Sequence, residues 1–227
     1  MSDLEYTSEE ELELELEPSR DNTLSVLILV LHSSIDIGMR NLGIFAVMVE
    51  ANTFVWHEIV LVATFDICEG VETGGKKVTE RMITNAVALI DSLTVIHPST
   101  KILVEEQFIS SFPGRKTIMN DEARRLQFAL LGYIVTRKQD WNVPTQEIYR
   151  IPSVLKLRGC PKVYRKKKPQ YKEWVRLKVV DILRKKGFDE EAEIIDKSKK
   201  GDDVGDAIKQ YVEAIEEIKI DPTKYLW

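Results

Sequence analysis

Two cysteines in 227 residues, Cys68 and Cys160, are too few and too far apart for a disulfide framework or a thiolate metal site. The three histidines, His32, His57 and His97, share no ligand spacing and are given no role. The longest apolar run, Leu24 to Leu31, is too short to span a bilayer, so no membrane partner is expected. The residues before it are acidic, the opposite of the charged region that opens a secretory signal. An intracellular, reducing compartment is therefore expected, with cytoplasm and nucleus both open. No internal repeat is visible. Apolar residues make up 44% of the chain, enough for the core of one domain.

Acidic charge is scarce where basic charge is dense. The formal net charge of −5 conceals this separation. Residues 1–22 hold nine acids and one base, a net of −8. The rest then holds 31 bases against 28 acids, a net of +3. Between Lys156 and Lys186 there are thirteen bases and two acids. Residues 1–22 are expected to be a disordered acidic tail ahead of a folded domain over 23–227. The alternating Glu and Leu of the tail have strand period, but like charges without a partner strand do not hold one. Solubility is the plain role for such a tail. Competition with nucleic acid for the basic segment is the sharper one.

Hydrophobic periodicity sets out the remaining elements. Strands are expected over Leu24–Ile37, Leu42–Val49 and Thr53–Thr64, joined by short connections rich in Asn and Gly that suit antiparallel hairpins. Val78–Ile96 has helical spacing, and Lys101–Phe108 reads as a buried strand. A helix follows over Asn120–Lys138, then a strand over Gln146–Ile151. Two further helices are expected, Pro169–Lys186 and Asp203–Ile218, with Pro169 near a start and Gly187 at an end. The fold class is α/β: a mixed five-stranded sheet, three antiparallel strands and then parallel ones, flanked by helices. This order resembles the RNase H-like arrangement.

Three acidic stretches interrupt these apolar runs. Asp36-Ile37-Gly38 closes the first strand. Glu105-Glu106-Gln107 lies on the fourth. Asp203-Val204-Gly205-Asp206 opens the last helix. Singly, each has an ordinary explanation: a turn aspartate, or acids that favour a helix N-terminus. A glutamate inside an apolar strand is harder to dismiss, because burying its charge is costly without a compensating cation. Neighbouring strand residues face opposite ways, so only one of Glu105 and Glu106 can share a site with Asp36. Brought together, such carboxylates make a set of hard oxygen ligands suited to Mg²⁺ or to Mn²⁺ in its place. Two such ions serve phosphodiester hydrolysis, so the pattern points to a metal-dependent nuclease.

The combination resembles the RuvC-type Holliday junction resolvases, and most closely their poxvirus-type branch, over about Ser25 to Tyr211. The resemblance implies that Asp36, Glu105, Asp203 and Asp206 are catalytic and hold two ions. It also implies a functional lysine in the basic segment Tyr164–Pro169, with Lys168 favoured and Lys172 the alternative. Arg115, Lys116, Arg165, Lys166, Lys167 and Lys172 are the expected DNA contacts. The implied partner is branched DNA, above all four-way junctions, cut in pairs by a homodimer. A viral origin would add a cytoplasmic replication site. Leu126, Ala129, Leu130 and Tyr133 form one stripe that suits either a dimer interface or packing on the sheet. An ATPase of the actin and hexokinase type also uses Asp-x-Gly, but needs a duplicated domain for which the chain is too short. A catalytically silent DNA-binding or scaffolding protein on the same fold is the remaining alternative.

Overall fold

Apolar and β-branched runs broken by short turns form three antiparallel strands: β1 (Leu29–Ile37), β2 (Asn41–Glu50) and β3 (Trp56–Asp66). The computed structural model describes residues 27–71, 77–96, 98–107, 121–137, 146–165, 167–198 and 201–227. After β3, α1 (Glu80–Ile96) leads to β4 (Lys101–Glu106), which lies parallel to β1. Then α2 (Asp121–Arg137) leads to β5 (Glu147–Pro152), parallel to β4. The sheet order is β3-β2-β1-β4-β5. The chain continues through a 3₁₀ turn (Ser153–Leu157) and α3 (Lys162–Arg165) to α4 (Lys168–Lys185), α5 (Asp189–Lys197) and α6 (Gly201–Ile220).

Helices cover both faces of the sheet, so the central strands are buried along most of their length. One core joins Ile35, Ile37, Ile44, Ile102 and Val104 to Met82 and Ile90 of α1 and to Leu126, Leu130 and Ile134 of α2. The other joins Phe45, Val47, Leu103 and Ile151 to Val175 and Val179 of α4 and to Ala207, Ile208 and Tyr211 of α6. Strand alternation sends Ile35 and Ile37 to the first core, leaving His32, Ser34 and Asp36 on the α6 side. His32 Nδ1 lies 2.9 Å from the Tyr211 hydroxyl. Burial, with some help from the Lys101 charge, pushes the imidazole down to about 3, so His32 packs as a neutral ring.

The sheet matches the order expected from sequence, with ends shifted by a few residues. Of the two roles open to the α2 stripe, packing on the sheet is the one seen: Leu126 and Leu130 are fully buried against the chain's own sheet. The 3₁₀ turn, α3 and α5 have no counterpart among the expected elements. α5 did carry a signal, three acids in its first turn at Asp189, Glu190 and Glu191. Gly187 ends α4 at φ +86°, a left-handed conformation that glycine adopts without strain. The acidic tail, the segment Phe112–Lys116 with Arg115 and Lys116, Asn120 and Lys166 lie outside the described residues. Among the described residues no helix is long and apolar enough to cross a membrane.

Candidate active site

The site lies where β1 and β4, adjacent and parallel, end side by side. Asp36 is the penultimate residue of β1 and is 6% exposed. The turn behind it is tight: Gly38 N donates to the Asn41 carbonyl at 2.9 Å. A Cβ on Gly38 would lie 2.7 Å from that oxygen, so the turn excludes larger residues. On β4, Glu105 is buried on the face of Leu103 and Asp36, whereas Glu106 points away and pairs with Arg150. Glu105 is held by two donors. Gln107 Nε2 donates to its Oε2 at 2.7 Å, and the Ile37 amide donates to the same oxygen at 3.3 Å. Gln107 Nε2 also reaches the Ile37 carbonyl at 3.0 Å, tying the two strand ends together.

α6 brings the other two acids. Its first turn presses on β2 at Gly43, where a Cβ would meet the Asp203 carbonyl oxygen at 2.3 Å. Only glycine allows that approach. Asn41 Nδ2 donates to Asp203 Oδ2 at 2.9 Å, and the Tyr171 hydroxyl donates to Asp206 Oδ1 at 2.9 Å. Burial, then the Asp206 charge, raise the Tyr171 hydroxyl and keep it a donor.

At the centre is a residue that sequence reasoning missed. Lys156, in the 3₁₀ turn after β5, sets its Nζ 2.5 Å from Asp36 Oδ1, 2.9 Å from Glu105 Oε1 and 3.5 Å from Asp206 Oδ2. Lys168, the expected functional lysine, is the exposed first residue of α4. Lys172 reaches Asp203 at 3.9 Å. Arg165 is exposed and donates to the carbonyls of Cys160 and Leu157, and Lys167 is exposed beside it. The only sequence signal for Lys156 was its place at the start of the basic segment.

The loop that carries Lys156 is braced. Arg158 pairs with Glu217 and, at 3.4 Å, with Glu213, both on α6. Gly159 turns the chain at φ +76°.

Electrostatics explain why a lysine sits there. Burial raises Glu105 most, the nearby Asp36 charge adds to it, and Lys156 opposes both; the carboxyl ends at about 8. Burial also raises Asp206, Lys156 lowers it and Asp36 raises it, to about 6. Burial works against the Lys156 ammonium, but the charges of Asp36, Asp206 and Glu105 outweigh it and hold the amine well above its ordinary value. Acids buried this close together ionise only with a cation beside them, and the ammonium is that cation.

The same donors fit a divalent ion. All are hard oxygens, and buried Asn41 Oδ1, on the amide that holds Asp203, has no hydrogen-bond partner. Among the described residues no three acidic or imidazole groups already surround one ion-sized point. The Lys156 ammonium stands between them as a surrogate cation.

No protein-family model and no curated protein matches the chain. Solved structures do. Thermus thermophilus RuvC in complex with a Holliday junction substrate superposes with a TM-score of 0.55 at 15% identity, covering 87% of this chain and 99% of that one. A second T. thermophilus RuvC structure matches with a TM-score of 0.52 at the same identity and coverage. The mixed five-stranded sheet with helices on both faces is thus the RuvC-type, RNase H-like fold.

Proposed function

We propose that the chain is a structure-selective DNA endonuclease that resolves four-way junctions by paired, metal-dependent phosphodiester hydrolysis. One observation carries this reading. Asp36, Glu105 and Asp206 come from β1, β4 and α6, and they converge on one buried ammonium with Asp203 beside them. Burying so many acids together is costly unless function requires it. The RuvC-type fold supports the same reading, since a protein of that fold is seen in complex with a Holliday junction.

Asp36, Glu105, Asp203 and Asp206 would hold Mg²⁺, or Mn²⁺ in its place, as two ions per site. Held there, they would supply a nucleophilic hydroxide and charge stabilisation for the departing 3′ oxygen. The protein's own residues prepare the ground. Gln107 and the Ile37 amide fix the Glu105 carboxylate, Tyr171 fixes Asp206, and Asn41 fixes Asp203. Lys156 balances the acids and, set free of them, can neutralise charge on the scissile phosphate. The exposed Lys167 and Lys168 and the half-buried Lys172 would contact DNA phosphates, as would Arg115, Lys116 and Lys166. Two symmetric cuts call for a homodimer. An affiliation with the poxvirus-type branch, a viral source and an intracellular setting belong to this proposal.

A silent DNA-binding protein is the second reading, favoured by the same Lys156, which bridges three acids where an ion would sit. Purified protein incubated with synthetic four-way junction, flap, Y-form and linear duplex decides between them. Junction cleavage with Mg²⁺ that is lost in EDTA and in Asp36→Asn supports the nuclease. Junction binding with no cleavage in Mg²⁺ or Mn²⁺ selects the silent protein.

A further inference from the structure

The chain between Lys156 and Tyr171 leaves the carboxylate centre and returns to it. Lys156 starts it among Asp36, Glu105 and Asp206, and Tyr171 ends it with its hydroxyl on Asp206. From Lys156 to Lys172 the sequence holds eight bases and no acid. The short helix α3 at its middle exposes two apolar residues, Val163 at 66% and Tyr164 at 37%. Lys162, Lys167 and Lys168 are exposed around them and form no ion pair with a described carboxylate.

The excursion is built to hold its shape. The Arg165 guanidinium donates to the Cys160 carbonyl at 3.0 Å and the Leu157 carbonyl at 3.2 Å. Arg158 is clamped by Glu213 and Glu217. The Lys167 amide donates to the Tyr164 carbonyl at 3.1 Å. A partly exposed aromatic on a braced loop whose two ends meet the carboxylate centre, with lysines around it that form no ion pair with a described carboxylate, has the makings of a base platform. Proteins that hold unpaired nucleic acid combine a basic groove with aromatic faces, because every base offers a π-face.

We propose that this excursion is one wall of the substrate groove, and that Tyr164, with Val163 beside it, stacks on an unpaired base at a DNA branch point. This rests on the nuclease reading above. Bases inside a duplex are already stacked and cannot reach the ring, so the contact selects branched DNA. The lysines around it meet the flanking phosphates without reading sequence.

The test uses the full chain in an Asp36→Asn background, which holds cleavage off. Dissociation constants are measured for a four-way junction and for a linear duplex, with 2-aminopurine placed at the branch point. Tyr164→Ala should weaken junction binding roughly 5- to 150-fold, the span expected for one lost stack. It should leave duplex binding within about twofold and abolish the 2-aminopurine quenching. Tyr164→Leu, which keeps apolar bulk without a ring, should behave like Tyr164→Ala, and Tyr164→Phe like wild type. Equal loss on both substrates would mean that Tyr164 serves only general DNA contact and would overturn the inference. A junction preference that survives both Tyr164→Ala and Tyr164→Leu overturns it alone. A wild-type protein with no junction preference overturns the nuclease reading and this inference with it.

Discussion

Replacing Lys156 by Met tests the electrostatic logic of the site most directly. The substitution keeps the length of the side chain and removes the ammonium that lies within 3.5 Å of three carboxylates. Breaking a buried ion pair from one side leaves uncompensated charge and costs about 3–5 kcal/mol. For a domain of this size that is a fall in Tm of roughly 6–20 °C, measured by calorimetry in EDTA. The loss should depend on pH. Lys156 lowers both Glu105 and Asp206, so its removal raises carboxyls that already stand at about 8 and about 6. A carboxyl raised in the fold contributes stability that is present at low pH and lost as pH rises through its folded value. The gap between Lys156→Met and wild type should therefore be small near pH ~5 and widest above about pH 8. Mg²⁺ should restore part of the lost stability, about 2.7 kcal/mol at a hundredfold excess over its dissociation constant. A Tm in EDTA that does not move at pH ~9, above the folded values of both acids in the wild type, would refute the claim that the ammonium compensates them.

Other consequences follow from single contacts. Gly43→Ala would place a Cβ 2.3 Å from the Asp203 carbonyl oxygen, forcing α6 off β2. It should cost about 1–3 kcal/mol in urea unfolding and weaken Mg²⁺ binding in a calorimetric titration. Glu105→Gln should abolish junction cleavage, whereas Glu106→Gln, which touches only the Arg150 pair, should retain it; gel assays with both variants check the strand register. His32 is lowered to about 3 in the fold, so its contribution is complete above the ordinary histidine range and is lost as pH falls from about 6.5 toward 3. Urea unfolding between pH ~4 and ~7 should show wild type losing about 1.4 kcal/mol per pH unit more than His32→Gln.

The amino-acid sequence by itself determined the sheet and the acids. Alternation and short turns specify three hairpin-linked strands, because a one-residue slip would put the wrong face of each strand in the core. The same alternation separates Glu105 from Glu106, since only one can share a face with Asp36. Asp36-Ile37-Gly38, Glu105-x-Gln107 and Asp203-x-x-Asp206 stood out because charge at the edge of an apolar run is costly and therefore conspicuous. Tertiary structure decided the rest. Lys156 is one base among thirteen between Lys156 and Lys186, and no local rule marks it. The Arg158 clamp, the turn at Gly159 and the Arg165 bonds to the Leu157 and Cys160 carbonyls carry the loop that holds it to the carboxylates. Asn41 and Gly43 look like ordinary hairpin residues until α6, about 160 positions later, packs against them. The stripe on α2 could equally serve a partner or the chain's own sheet, because periodicity shows that a face is apolar but not what covers it. That choice belongs to the packing, and here Leu126 and Leu130 lie buried beneath their own strands.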